Sequence, residues 1–122
     1  MNKQELIENL KSNNFQKNII DAFKKVKRED FIPDNLKYYA YEDIALPLGE
    51  GSTISQPYTI AFMLQLLELK PNQKILEIGS GSGYVLALIY KIIKKGKIYG
   101  IEIIESIEKI SQQILKKDKK IT

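Results

Sequence analysis

This chain is expected to fold as α/β, the first half of a doubly wound parallel sheet behind an N-terminal helical extension. Three features carry that expectation. Ile75-Leu76-Glu77-Ile78 is an apolar run of strand length, Gly79-Ser80-Gly81-Ser82-Gly83 follows it as a glycine-rich turn, and an apolar stretch of helical length comes next. A second strand-like run then ends on the acid Glu102. Strand, turn, helix and strand joined by a right-handed crossover is the building unit of such sheets.

The elements can be justified in chain order. Residues 3–11 read as a short amphipathic helix with Leu6, Ile7 and Leu10 on one face, interrupted by Asn13 and Asn14. A second helix is expected over about 16–26, where Ile19, Ile20, Phe23 and Val26 recur at helical spacing. Pro33 stops any helix near Phe31-Ile32, because proline lacks an N–H and restricts its predecessor. Loop and short strand follow to about residue 54, with a strand at Ile44–Leu48 and a flexible turn at 49–52. Pro57 suits a first helical turn. Residues 58–68 continue that helix with Ile60, Met63, Leu64 and Leu67 as its buried stripe. Strand 74–78 leads into the glycine turn. A helix over 82–94 is closed by Lys94-Lys95-Gly96, with Gly96 as a left-handed cap. Strand 97–102 and a helix over about 105–117 complete the chain, and the lysine-rich run 116–120 reads as a solvated tail.

Composition limits the chemistry. A chain of 122 residues is one domain. It has no Cys and no His, which excludes disulfides, thiolate catalysis, zinc-thiolate sites and imidazole bases. The net charge of +4 comes from 18 Lys and a single Arg, Arg28, scattered along the chain, which argues against a nucleic-acid footprint. There is no apolar run of about 18 residues and no basic start followed by an apolar stretch, so neither a membrane span nor a signal peptide is expected. A cytoplasmic monomer is the expectation.

The glycine spacing narrows the ligand. A dinucleotide fingerprint, G-x-G-x-x-G, needs glycine at position 84, where this chain has Tyr84. G-x-G-x-G with Glu77 two residues ahead resembles instead the nucleotide loop of S-adenosylmethionine-dependent methyltransferases. Glycines there permit positive φ and close approach of a ligand to main-chain N–H groups. Glu102 is positioned to accept hydrogen bonds from ribose hydroxyls, its alternative being a solvated strand end. Glu77 is costly to bury unpaired, so it is expected to accept from loop N–H groups or a ligand amine.

The segment before the sheet resembles one family in particular. Arg28-Glu29-Asp30-Phe31-Ile32-Pro33, Ala40-Tyr41-Glu42-Asp43 and Thr53-Ile54-Ser55-Gln56-Pro57 are similar to the series that precedes the cofactor loop in protein-L-isoaspartate O-methyltransferases. The resemblance runs from about residue 4 to residue 117, with Lys27 where the family usually has proline. It implies a Rossmann-like methyltransferase fold and S-adenosyl-L-methionine as cofactor. It also implies methyl transfer to the free carboxylate of isoaspartyl residues in damaged proteins, whose ester then closes to a succinimide. Such chemistry requires neither His nor metal, since the carboxylate is already ionised and the sulfonium already electrophilic. In the family the serine of T-I-S-Q-P is the active-site residue, which carries over to Ser55, read here as a donor orienting the acceptor carboxylate and not as a nucleophile. An N-cap role for Ser55 is open alongside. The candidate cofactor-binding set is Thr53, Ile54, Glu77, Gly79, Ser80, Gly81, Gly83 and Glu102, with no metal ligand.

The expected organisation is an extension over 1–57 and the first half of the nucleotide-binding domain over 58–122. Family members continue with a D-G loop and further strands, so the chain is expected to be a fragment or truncated product with an open edge on strand 74–78 and weak or absent activity alone. A related methyltransferase acting on RNA or a small molecule, and a non-catalytic remnant, are the rival readings.

Overall fold

A computed structural model describes residues 1–116 and 121–122. The helix α1 (Lys3–Ser12) opens with a capping box: the Asn2 side chain accepts from the Glu5 N–H, and the Glu5 side chain from the Asn2 N–H. The helix α2 (Lys17–Lys25) follows, then two 3-10 helices, Arg28–Phe31 and Asp34–Tyr39, on either side of Pro33. The second of these lies where only loop was expected. Strands β1 (Leu46–Gly49) and β2 (Ser52–Ile54) form an antiparallel hairpin, so the segment expected as a flexible turn is a hairpin connection. Its Gly49, Glu50 and Gly51 all have positive φ.

The second half contains α3 (Pro57–Leu66), β3 (Lys74–Ile78), α4 (Tyr84–Ile93), β4 (Lys97–Ile101) and α5 (Glu105–Leu115). β3 and β4 pair in parallel, Glu77 opposite Gly100 and Ile78 opposite Ile101. Beyond β4, Ile121 bridges Ile98 in parallel, and the Thr122 main chain exchanges hydrogen bonds with Ile98 and Gly100. The lysine-rich run expected as a solvated tail lies, apart from Lys116, outside the described residues.

The core follows from α4, which is apolar on nearly every side and buried accordingly at Leu86, Leu88, Ile89, Ile92 and Ile93. One side meets β4 and the other α2. Tyr84, at its first turn, is buried edge-on to Phe23 (6.2 Å between centroids) and tilted against Phe31 (5.4 Å). This joins the N-terminal extension to the sheet as one core.

Three local expectations are corrected. The helix after the glycine turn begins at Tyr84 and not at 82, because Gly83 holds φ +95° and still belongs to the turn. The left-handed residue at the far end of that helix is Lys94 (φ +61°) and not Gly96. Gly96 is required for space: a Cβ there would overlap the Gln73 carbonyl. The buried stripe of α3 is Ile60, Ala61 and Leu64, leaving Met63 and Leu67 more than half exposed. Those two look toward the free edge of β3, where no described strand lies. The outer face of the sheet is open in the same way, with Leu76, Ile78 and Ile101 exposed.

Candidate functional site

At the carboxyl ends of β3 and β4 the chain turns through Gly79 (φ +78°), Gly81 (φ +56°) and Gly83 (φ +95°). Each glycine pays a different toll on substitution: nothing lies near a Cβ at Gly79, whereas at Gly83 it would sit 2.5 Å from Leu115 Cδ1. The turn's own donors are spent internally. The N–H groups of Gly79 and Ser80 both donate to the Ile101 carbonyl, at 2.7 and 3.0 Å, and Gly83 N–H to the Ser80 carbonyl at 3.0 Å. Gly81 N–H donates to Glu102 Oε1 at 2.8 Å. Four of the donors expected to face a ligand are therefore occupied by the protein.

Of the two carboxylates of this rim, Glu102 and not Glu77 is the one that accepts from the loop. Glu102, directly after β4, accepts from the loop at Gly81 and through Oε2 from Ile104 N–H at 3.0 Å. Its side chain borders a hollow of about 520 Å³ with Ser80, Gly100, Ser111 and Gln112. Glu77, inside β3, accepts nothing from the loop. Its Oε1 is buried without a hydrogen-bond partner among the described residues, and burial, reinforced by the Glu102 charge, pushes its carboxyl up to about 7. Gly100, opposite Glu77, is kept small because a Cβ would press on Leu86 and Ser80.

Ser55 occupies the joint between β2 and α3 and is exposed. It shares a small cleft of about 60 Å³ with Thr53, Ile54, Glu77, Gly79 and Gly81. A groove of about 210 Å³ toward α3 is also bordered by Ser55 and Glu77. Ser55 does not cap α3: the N-cap is Gln56, whose side chain accepts from the Thr59 hydroxyl and caps no main-chain N–H, and the Tyr58 N–H is met by Asp43 Oδ1 at 2.9 Å. Thus Thr53, Ile54, Ser55, Glu77, Ser80 and the glycines of the turn gather around one end of the sheet, and Glu102 joins them through Gly81.

The residue that sequence reasoning named without giving a role is Arg28. Its side chain is wholly buried, and its guanidinium donates to four main-chain carbonyls: Ala40 (3.0 Å) and Glu42 (3.1 Å) from Nη1, Ile44 (2.8 Å) and Ser55 (3.1 Å) from Nη2. Burial draws its pKa below the usual value. A lone arginine within a lysine-rich chain was the available signal.

Known proteins share this arrangement. The family model for protein-L-isoaspartate(D-aspartate) O-methyltransferase (PCMT) matches residues 1–121. A Petrotoga mobilis protein-L-isoaspartate O-methyltransferase is 56% identical over 84 residues, 69% of this chain and 38% of its own length. One from Thermosipho melanesiensis is 45% identical over 112 residues, 91% of this chain and 57% of its own. Among solved structures, a protein-L-isoaspartate O-methyltransferase superposes with a TM-score of 0.89 at 29% identity, covering 98% of this chain and 40% of that one. A Plasmodium falciparum protein described as such a methyltransferase, solved with S-adenosyl-L-homocysteine, gives 0.82 at 28% identity, over 98% of this chain and 57% of that one. The chain spans about half the length of the curated relatives it matches. Over the part it spans it has their Rossmann-like methyltransferase fold, and it belongs to the protein-L-isoaspartate(D-aspartate) O-methyltransferase family.

Proposed function

We propose that this chain supplies the cofactor rim and the Ser55 segment of an enzyme that methylates the free carboxylate of isoaspartyl residues with S-adenosyl-L-methionine. One observation carries the cofactor part: two carboxylates stand at a glycine turn in which the Gly79, Ser80, Gly81 and Gly83 N–H groups are already used. A pyrophosphate is held by free N–H donors and is repelled by a carboxylate placed against the loop itself, as Glu102 is at Gly81. A ligand bearing an ammonium, a sulfonium and a ribose diol needs the reverse, acceptors and negative charge. The P. falciparum relative, holding S-adenosyl-L-homocysteine, supports the same choice.

When bound, the cofactor supplies a methyl group already activated for displacement at carbon. The protein residues then have positioning and electrostatic tasks. Glu77, which lines the cleft beside Ser55 and has a carboxylate that the loop does not engage, accepts from a ligand amine. Glu102 uses its remaining lone pairs for ribose hydroxyls while it holds Gly81 and Ile104. Thr53 and Ile54 line the cofactor through their main chain, as do Gly79, Ser80 and Gly83. Ser55 donates its hydroxyl to the acceptor carboxylate and fixes the oxygen that attacks the methyl carbon, and no base is needed because that oxygen is ionised at neutral pH. Residues 1–57 form the extension that delivers Ser55, and residues 58–122 the first half of the nucleotide-binding domain. A monomer in the cytoplasm that binds neither nucleic acid nor membrane completes the proposal. No helix among the described residues is long and apolar enough to cross a membrane.

The test is incubation with methyl-labelled S-adenosyl-L-methionine and an isoaspartyl peptide, beside the same peptide with normal aspartate, and calorimetry with S-adenosyl-L-homocysteine. Base-labile label on the isoaspartyl peptide alone is expected from a competent enzyme. Cofactor binding without label marks a rim that binds and does not transfer, and an absence of both removes the reading.

A further inference from the structure

We propose that Arg28 and Asp43 form a clamp that positions Ser55, acting through the main chain on both sides of it. Ser55 and Gln56 are a two-residue joint between β2 and α3, and Gln56 gives that joint no side-chain cap. Two long-range contacts from the 28–44 region flank it. Arg28 Nη2 binds the Ser55 carbonyl, and Asp43 Oδ1 binds the Tyr58 N–H three residues on. The same guanidinium grips the Ala40, Glu42 and Ile44 carbonyls, so the loop that carries Asp43 is set by the side chain that holds Ser55.

The choice of side chain fits this purpose. Among the described residues Arg28 has no carboxylate within ion-pair distance, so its buried charge is met directly by carbonyl dipoles, with the Asp43 carboxylate favouring it from farther off. A planar fork with fixed N–H directions reaches four acceptors at once, whereas an ammonium on a flexible stem presents three donors from one point. With the carbonyl of Ser55 fixed behind the chain and Ile54 buried beside it, the Ser55 side chain is left on the cleft it shares with Glu77. Arg28 touches neither cleft, so its effect on chemistry passes through Ser55.

The catalytic consequence rests on the reading that Ser55 meets the acceptor carboxylate, and the test therefore has two arms. In the first, hydrogen exchange followed by mass spectrometry on the full chain compares wild type with Arg28→Lys. Exchange over residues 53–58 is expected to rise at least about tenfold while β3 and α4 keep their protection. Unchanged exchange at 53–58 overturns the clamp. Should Arg28→Lys lose protection everywhere, Asp43→Ala decides: a rise confined to 53–58 supports the clamp and no rise overturns it. In the second arm, turnover of an isoaspartyl peptide is expected to fall about tenfold in Arg28→Lys, with affinity for S-adenosyl-L-homocysteine within about twofold. Arg28→Lys combined with Ser55→Ala should then lose no more than the worse single variant. Losses that multiply, or affinity falling as far as turnover, refute positioning. A wild type that transfers no methyl refutes the functional reading, and the exchange arm still rules on the clamp.

Discussion

The region behind Ser55 and the cleft in front of it each hold a buried charge-bearing group, met by the protein to different degrees. Behind, the two Nη atoms of Arg28 donate to four carbonyls at 2.8–3.1 Å, and its Nε alone is left without a partner among the described residues. In front, the Glu77 carboxylate makes no hydrogen bond among the described residues, and its Oε1 is buried. A protein left to maximise its own stability has every reason to complete both sites, since an unpaired buried polar atom costs roughly 1–3 kcal/mol. The difference is one of degree: Arg28 is engaged with the backbone through four bonds, whereas the backbone gives Glu77 none.

The largest way to break this contrast is Arg28→Met, which leaves four carbonyls without their donor. A loss of about 3–5 kcal/mol is expected, read as a fall in the denaturant midpoint at unchanged slope. A loss below about 1 kcal/mol would mean that water replaces the guanidinium and that the region is not built on it.

Glu77→Gln sharpens the other side. Because the folded carboxyl titrates near 7 and the unfolded one near 4.5, the folded state binds the proton more tightly. The wild type therefore loses stability as pH rises from about 4.5 to about 7, and the penalty is absent below that window and complete above it. The neutral amide removes the window. At pH 8 the variant is expected to be more stable than wild type by about 2 kcal/mol, and at pH 4 to match it. Parallel pH profiles for the two proteins would show that Glu77 is solvated.

The smallest effect belongs to the glycine turn. Gly79→Ala meets no neighbouring atom, and its cost is the φ of +78° alone, about 1 kcal/mol. Gly83→Ala, at a similar φ, must also displace Leu115 and should cost clearly more in the same thermal melts. Equal costs would mean that the turn relaxes freely.

These contrasts also mark what the amino-acid sequence discloses. The strand at 74–78 has the expected bounds, and the helix at Glu105–Leu115 falls within its expected span, because their signals are local: an apolar run, a periodicity. The β2 strand was hidden because three residues carry no period, and its identity comes from pairing with Leu46 and Pro47. Gly96 was given the wrong reason because its constraint is the Gln73 carbonyl across the sheet, not its own φ. The Arg28 cage was the least visible of all. Its partners are main-chain oxygens of Ala40, Glu42, Ile44 and Ser55, and a carbonyl has no side-chain identity to read. Glu77 and Glu102 were both singled out from their distance to the glycines, and both lie at the turn. Which of them the turn would occupy depended on a 2.8 Å contact that spacing alone does not fix.

The spent donors of the turn have a consequence for competition. A cell is crowded with adenine nucleotides, nearly all of them carrying phosphates, and a glycine loop at a helix start is the usual place for those phosphates to settle. Here the Gly79, Ser80, Gly81 and Gly83 N–H groups are engaged before any ligand comes, one of them by the Glu102 carboxylate. A phosphate settling on the turn would first have to break those contacts, so the engaged turn itself disfavours it.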